Sequence, residues 1–167
     1  DKWILSKFNA LTSEVSDNLD KYELGIALAK LYDFIWDLFC DWYIELVKPR
    51  LLDPECPTRI AAQNTLAFVF SSTMQLLHPF MPFITEEIYS SLPVPEGSIM
   101  LSKWPEYNKA FEFTAEEEET ELVIAAIKAV RNTRTEMNVP VSKKSKMYII
   151  TEKRAAFESG AEFFMKL

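Results

Sequence analysis

The sequence predicts a mainly α-helical fold, and three features of its composition and patterning support this prediction. Hydrophobic residues make up 49% of the 167 residues, enough for one well-buried domain. Only three residues are glycine, so the turn content is low. Apolar residues recur every three or four positions over long stretches, as in amphipathic helices. We expect a bundle of about five helices over residues 1–138, followed at 139–167 by the start of a truncated α/β subdomain.

The first helix is predicted over residues 1–17. Its apolar positions fall on one face, at Ile4, Phe8, Leu11 and Val15. This spacing indicates an amphipathic helix that buries a single stripe.

The second and longest helix is predicted from residue 24 to about residue 47, and Pro49 should close it. Its main apolar stripe consists of Leu24, Leu28, Leu31, Ile35, Leu38 and Trp42. Further apolar residues widen that surface, namely Phe34, Trp36, Phe39, Cys40 and Tyr43. Acidic residues follow at four-residue steps, at Asp33, Asp37, Asp41 and Glu45. Two sides of this helix are therefore expected to have partners.

The stretch LLHPFMPFITEEIY (residues 76–89) predicts a corner between a third helix and a short fourth helix. The third helix carries Leu66, Phe70, Met74 and Leu77 on one face. It should end near His78, because a proline at position 79 disfavours the α conformation of the residue before it. Pro82 then suits the first turn of the next helix.

His78, Glu86 and Glu87 in this corner are not expected to be catalytic. No serine or cysteine nucleophile motif accompanies the histidine, which is favourable at a helix terminus. The two glutamates are adjacent on a helix, so their side chains diverge by about 100° and do not converge on one site. Both should face solvent, and no metal site is predicted.

The C-terminal third of the chain is predicted to contain a connector, a fifth helix and an α/β element. Ile99–Tyr107 should be an extended connector anchored by Trp104. The fifth helix should begin at Thr114, which has capping-box spacing to Glu117. After a break at Pro140, KMYIIT (residues 146–151) is typical of a short strand, and another helix should follow with Phe157, Ala161 and Phe164 on one side.

Charge is distributed unevenly along the chain. The net charge of −7 argues against a freestanding nucleic-acid binder. Six acids and no base lie between residues 112 and 121, where a helix N-terminus favours them. Residues 128–154 contain eight Lys or Arg against two Glu, so this stretch is locally basic.

The cysteines and the chain ends indicate the kind of protein. Cys40 and Cys56 have no metal-ligand spacing and fit a reduced, cytoplasmic protein. No apolar run approaches the length of a membrane span. The chain begins without Met inside one apolar pattern and ends inside another, so we expect an excised fragment.

Three segments together resemble a known family. LLHPFMPFITEEIY (76–89) is similar to the hallmark of the anticodon-binding helical domain of class I aminoacyl-tRNA synthetases of the valine, isoleucine and leucine group. FCDWYIELVKPRL (39–51) and VRNTRTEMNVPVSKK (130–144) resemble the valyl-tRNA synthetases within that group. The resemblance covers nearly the whole chain and implies that the bundle is an anticodon-binding domain.

The resemblance also implies a parent enzyme that joins valine to its tRNA, using ATP and Mg²⁺, through a valyl-adenylate. The implied partners are the anticodon stem-loop of tRNA(Val) and the catalytic core of the same polypeptide, with no membrane. The chain has neither the His-Ile-Gly-His type nor the Lys-Met-Ser-Lys-Ser type motif of that core, and KKSKM (143–147) is only superficially similar. This part alone is therefore expected to be non-catalytic and to hold no cofactor.

Candidate base contacts lie on the second helix. Unpaired anticodon bases can stack on aromatic rings and be read along their edges by polar groups. The candidates are Trp36, Phe39 and Tyr43, with Asp33 beside them as an acceptor for an exocyclic amine. The alternative for each ring is core packing, and for Asp33 it is an ordinary solvated acid.

Candidate phosphate contacts are Arg131, Arg134, Lys143 and Lys144, and the alternative is that they are ordinary exposed cations. Two other functions are left open. The domain could instead come from an isoleucyl- or leucyl-tRNA synthetase, or it could be a structural docking module without independent RNA binding.

Overall fold

The computed structural model describes residues 1–93, 97–140, 143 and 146–166. Its elements, in chain order, are α1 (Lys2–Asp20), α2 (Leu24–Asp33), a π-helical segment (Phe34–Ile44), α3 (Glu45–Leu52), α4 (Arg59–Leu77), α5 (Pro82–Ser90), two 3-10 turns (Ile99–Leu101 and Lys109–Phe111), α6 (Thr114–Glu136), α7 (Arg154–Ser159) and α8 (Ala161–Lys166). No strand occurs in the described ranges, and the predicted mainly α fold is confirmed. None of the helices described is long and apolar enough to cross a membrane.

The chain forms two compact units, Asp1–Phe113 and Thr114–Leu167. This division by compactness places α6 with the C-terminal residues, where it packs against α7. The sequence-based boundary after residue 138 stays a prediction about domain organisation.

The first unit is built around α1, which packs against α2, α4 and the π-helical segment. The predicted stripe of α1 is buried at all four positions, Ile4, Phe8, Leu11 and Val15, so that prediction is confirmed. The amphipathic pattern is sufficient to predict the buried face of α1 because only one face of this helix is apolar.

The second predicted helix is one continuous helical stretch from Leu24 to Leu52 that changes type twice. The prediction that Pro49 closes it is wrong, since Pro49 lies inside α3. The π-helical segment just before α3 already interrupts the regular i to i−4 ladder, so a proline removes less hydrogen bonding than in an uninterrupted α-helix. The predicted apolar stripe is only partly buried, because Leu31 and Trp42 are in the core whereas Leu24 and Leu28 are exposed.

An aromatic cluster centred on Phe39 fills the core beside the π-helical segment. Its ring stacks on Phe34 at 6.4 Å, on Tyr43 at 6.0 Å and on Phe70 of α4 at 5.9 Å between centroids. The Phe39 and Phe70 rings are nearly parallel, with an interplanar angle of 3°. The extra aromatics that widened the predicted surface are therefore used, in part, to join this stretch to α4.

Arg50 ties the start of the chain to the end of α3. Its Nη1 and Nη2 donate to Asp1 Oδ1 and Oδ2, both at 2.8 Å, and this ion pair is mostly shielded from solvent. The same guanidinium donates to the Thr58 hydroxyl at 2.9 Å and to the Thr58 carbonyl at 2.7 Å. The Tyr43 hydroxyl donates to Asp1 Oδ1 at 3.0 Å, and burial raises the pKa of Tyr43 to about 12.

The predicted corner between α4 and α5 is present, with α4 ending at Leu77 and Pro82 in the first turn of α5. Nδ1 of His78 lies 2.7 Å from the hydroxyl oxygen of Thr85, which itself donates to the Met81 carbonyl at 2.8 Å. These contacts join the two helices, which gives His78 a structural role.

Glu86 differs from the prediction that both glutamates face solvent. It is partly buried and accepts hydrogen bonds from the Ser98 hydroxyl at 2.8 Å and the Ile99 amide at 3.3 Å, so it fixes the turn that follows α5. Glu87 is exposed as predicted. In the part of the chain that the structure describes, no cluster of three or more potential metal-ligating side chains is found.

The connector between α5 and α6 runs along α1 and uses the polar residues that α1 buries. Trp104 Nε1 donates to the Ser16 hydroxyl at 3.0 Å, which confirms it as an anchor. The Asn108 amide donates to Asn9 Oδ1 at 2.7 Å, and the Phe113 amide donates to the Ser6 hydroxyl at 3.0 Å. Both acceptors are therefore buried but satisfied.

The second unit contains α6, α7 and α8. The strand predicted at residues 146–151 is not formed, since Lys146–Ile150 are irregular and Ile150 is fully exposed. A short β-prone run needs a partner strand, and none is present in the described ranges. The single helix predicted after this run is instead two short helices, and Phe157 of α7 stacks on Phe164 of α8 at 6.0 Å. Gly160 lets the junction between α7 and α8 approach α6, because a Cβ there would lie only 3.0 Å from Val123.

We expect Arg50→Gln to lower the free energy of unfolding by about 1–2 kcal/mol, because Asp1 loses a bidentate partner in a partly buried site. Lys48→Gln is the matched control, since Lys48 pairs with Glu45 on the exposed surface of the same helix and should change stability by less than about 0.5 kcal/mol. Urea unfolding followed by circular dichroism measures both. Equal effects of the two substitutions would contradict this account of Arg50.

Candidate nucleic-acid interface

The predicted RNA contacts fall on two elements in different compact units. The base-contact candidates belong to α2 and the π-helical segment of the first unit. The phosphate-contact candidates belong to α6 and the residues after it in the second unit.

Phe39 and Tyr43 are core residues, with only 4% and 2% of their surfaces exposed. Their rings stack on each other, and the hydroxyl of Tyr43 is bound to Asp1. A base needs an open ring face to stack on, and neither residue offers one in this structure. Burial favours the core-packing alternative for both, and a base contact by either ring stays a prediction.

Trp36 and Asp33 lie on the outer side of the same stretch. Trp36 is 51% exposed, and Asp33 is exposed three residues before it. An exposed indole beside an exposed carboxylate can offer a stacking surface and a hydrogen-bond acceptor within one helical turn.

Tyr32 is a third exposed group at this site, and the sequence analysis missed it. It is 61% exposed, and its ring centroid lies 6.2 Å from that of Trp36 with an interplanar angle of 52°. The i, i+4 spacing of Tyr32 and Trp36 could have indicated that they share a face.

These rings extend an exposed apolar ridge along α2. We define the α2 ridge as Leu24, Leu28, Tyr32 and Trp36, which follow one another at steps of four residues and are all exposed. Exposed apolar groups arranged in a row mark a contact surface more often than isolated ones do.

Acidic side chains border the α2 ridge. Asp33 and Asp37 each follow a ridge residue in sequence, and both are exposed, as is Asp41 one turn later. A row of carboxylates repels phosphate, but it can accept hydrogen bonds from the amino groups of bases. This surface therefore suits bases turned away from their backbone better than it suits the backbone itself.

The phosphate-contact candidates are not equivalent. Arg131 is exposed on α6 and Lys143 is exposed in the segment that follows. Arg134 is partly buried, and its Nη2 donates to the carbonyl oxygens of Pro140 and Lys143, each at 2.9 Å. The structure thus joins Arg134 to the backbone of Lys143, whereas Lys144 lies outside the described residues.

Comparison with known proteins identifies the family. The family described as the anticodon-binding domain of tRNA ligase matches residues 1–149. The chain is 50% identical over 169 residues to a valine–tRNA ligase of Clostridium acetobutylicum, covering 100% of this chain and 19% of that protein. It is 47% identical over 150 residues to a valine–tRNA ligase of Thermotoga maritima, covering 89% and 17%.

A third relative is the valine–tRNA ligase of Oceanobacillus iheyensis, 46% identical over 152 residues. The chain spans less than a fifth of the length of these curated relatives, at 19%, 17% and 17%. The family match covers most of the chain and agrees with the helical fold and with the resemblance found in the sequence. The chain therefore belongs to the family of anticodon-binding domains of tRNA ligases.

Proposed function

We propose that this chain is the tRNA-recognition module of a valine–tRNA ligase and binds the anticodon stem-loop of tRNA(Val). The observation that carries the proposal is the family match over residues 1–149, combined with 50% identity along the whole chain to a valine–tRNA ligase. Attachment of valine to tRNA, with its requirement for ATP and Mg²⁺, would take place in a catalytic core of the same polypeptide in the cytoplasm.

The contribution of this chain would be positional. A module that binds the anticodon holds the tRNA in one orientation, so that its acceptor end can reach a distant reacting centre. Selective binding also allows the enzyme to discriminate between tRNAs by a difference in affinity.

Base recognition is assigned to the aromatic end of the α2 ridge. Trp36 and Tyr32 would stack on unpaired bases, and Asp33 would accept from an exocyclic amine of adenine or cytosine. The exposure of all three groups supports this assignment, whereas the burial of Phe39 and Tyr43 supports core packing for those two rings.

Phosphate contacts are assigned to Arg131, Lys143 and Lys144 in the basic stretch after residue 128. Cations there oppose the net charge of −7 carried by the whole chain and would favour a polyanion locally. Phosphates carry no sequence information, so these residues would add affinity without adding selectivity.

Docking of a protein surface is the second candidate function, because the aliphatic part of the α2 ridge, Leu24 and Leu28, is exposed without offering a ring for stacking. An RNA competition experiment separates the alternatives. The corresponding domain of an isoleucyl- or leucyl-tRNA synthetase would prefer a different tRNA, whereas a docking module without RNA binding would give competition that does not depend on the anticodon.

A competition assay with the complete ligase tests the function. We expect unlabelled tRNA(Val) to displace labelled tRNA(Val), and tRNA(Ile) to do so only after its anticodon is replaced by that of tRNA(Val). Wild-type tRNA(Ile) or tRNA(Leu) competing better than tRNA(Val) would assign the chain to another member of the group. Equal competition by tRNAs with different anticodons would support the docking function instead.

Trp36→Ala should weaken tRNA(Val) binding by about 1–3 kcal/mol, the value of one base stacked on an aromatic ring, and should leave thermal stability nearly unchanged. Phe39→Ala is the matched control from the same helical stretch. It should lower stability by about 3–5 kcal/mol, because it opens a cavity among stacked rings. Tight, anticodon-selective binding by a stable Trp36→Ala variant would remove Trp36 from the site.

Replacing Arg131, Lys143 and Lys144 together by Gln should flatten the plot of log affinity against log salt by about 0.7 per lost phosphate contact. The preference for the valine anticodon should remain. Lys109→Gln, at an exposed cation of the first unit, is the control and should keep the wild-type slope. A wild-type slope in the triple variant would make these residues ordinary surface cations.

A further inference from the structure

The end of α6 is built as a defined turn. Asn138 adopts a left-handed conformation with φ of 53°, which asparagine tolerates better than most residues. The Val139 amide donates to the Arg134 carbonyl at 2.8 Å, and the Asn138 amide donates to the Thr135 carbonyl at 3.0 Å. This pair of bonds is a Schellman motif, so the backbone leaves α6 in a fixed direction.

The Arg134 side chain contacts the backbone beyond this turn at two described residues. Nη2 of Arg134 donates to the backbone carbonyls of Pro140 and Lys143, at 2.9 Å each. The Lys143 amide in turn donates to the Pro140 carbonyl at 3.0 Å. Arg134 therefore contacts the outgoing backbone at three residues, at Val139 through its own carbonyl and at Pro140 and Lys143 through its guanidinium.

We propose that Arg134 is a positioning residue for Lys143 rather than a phosphate contact itself. Its guanidinium fixes the backbone at Lys143, so that the exposed side chain of Lys143 starts from a defined position. The inference rests on the proposed function, because it takes the ligand of Lys143 to be RNA phosphate. It assigns Arg134 a role different from that of Arg131, one turn earlier on α6.

The chemistry of the side chain distinguishes the two roles. A lysine can replace an arginine that acts as a point charge on a phosphate. A lysine has no planar fork, so it does not reproduce two hydrogen bonds from one guanidinium nitrogen to two carbonyls in fixed directions. A side chain that is already held in position also binds its ligand more tightly, because it loses less conformational entropy on binding.

The first test needs no RNA. Hydrogen exchange in Arg134→Lys should be faster at the Lys143 amide, while the amides of Ile124 and Ile127 within α6 keep wild-type protection. Arg131→Lys is the matched control and should leave exchange at Lys143 unchanged. An unchanged exchange rate of the Lys143 amide in Arg134→Lys would overturn the positioning role of Arg134, whatever ligand Lys143 binds.

The second test uses tRNA(Val) and the complete ligase. Lys143→Gln should flatten the salt dependence in the wild-type background and have at least about threefold less effect on affinity in the Arg134→Lys background, because the lysine is no longer held in place. Thermal unfolding should be the same in all variants, which separates this coupling from a general loss of stability.

Two results of the second test would overturn the inference in different ways. If Lys143→Gln has its full effect in the Arg134→Lys background, Arg134 does not position Lys143 for RNA. If Lys143→Gln has no effect in either background, Lys143 does not contact RNA phosphate. The hydrogen-exchange experiment then shows separately whether Arg134 positions the backbone of Lys143.

Discussion

The stack of aromatic rings around Phe39 fixes the rotation of the longest helical stretch, and the surface of the first unit depends on that rotation. Phe39 lies between Phe34 and Tyr43 on its own stretch and contacts Phe70 of α4 in a nearly parallel arrangement. Because this side faces α4, Tyr32 and Trp36 are left on the solvent side. The exposed rings are thus a consequence of how the buried rings pack.

The π-helical segment explains how these rings share one face. In a regular α-helix, residues five positions apart are separated by about 140° around the axis. Phe34 and Phe39 are five positions apart, yet their rings stack at 6.4 Å. Hydrogen bonds between residues five apart widen the turn and bring the two residues to the same side. Segments of this kind are uncommon and are frequent at functional sites, and here the outer side of the segment carries Trp36.

The sequence predicted well those features that depend on a local rule. The buried face of α1 was predicted correctly because only one face of that helix is apolar. The corner at His78 was predicted correctly because two prolines restrict the backbone there. The buried face of the second helix was partly wrong, since Leu24 and Leu28 are exposed. Apolar residues surround that helix, so their spacing is compatible with more than one buried face, even in the regular α-helical part that carries Leu24 and Leu28.

Other features depend on contacts between distant residues or on the backbone, and no local pattern indicates them. Glu86 is partly buried because it accepts from Ser98 and Ile99, which lie beyond a loop. The run at 146–151 has strand-forming residues but no partner strand in the described ranges. Among the candidate site residues, Phe39 and Tyr43 could not be distinguished from Trp36 by residue type, and only packing separates them.

The distribution of charge indicates how an acidic chain can bind a polyanion. Acidic residues beside the α2 ridge make it unfavourable for phosphate, so under the proposed function a nucleotide would bind there with its base directed toward the protein. The basic residues after position 128 favour the backbone instead, and Arg134 uses its guanidinium on carbonyl oxygens rather than adding another mobile charge. The proposed function therefore assigns selectivity and affinity to different residues. Raising the salt concentration should weaken the second contribution far more than the first, because counterion release acts on phosphates and not on stacked bases.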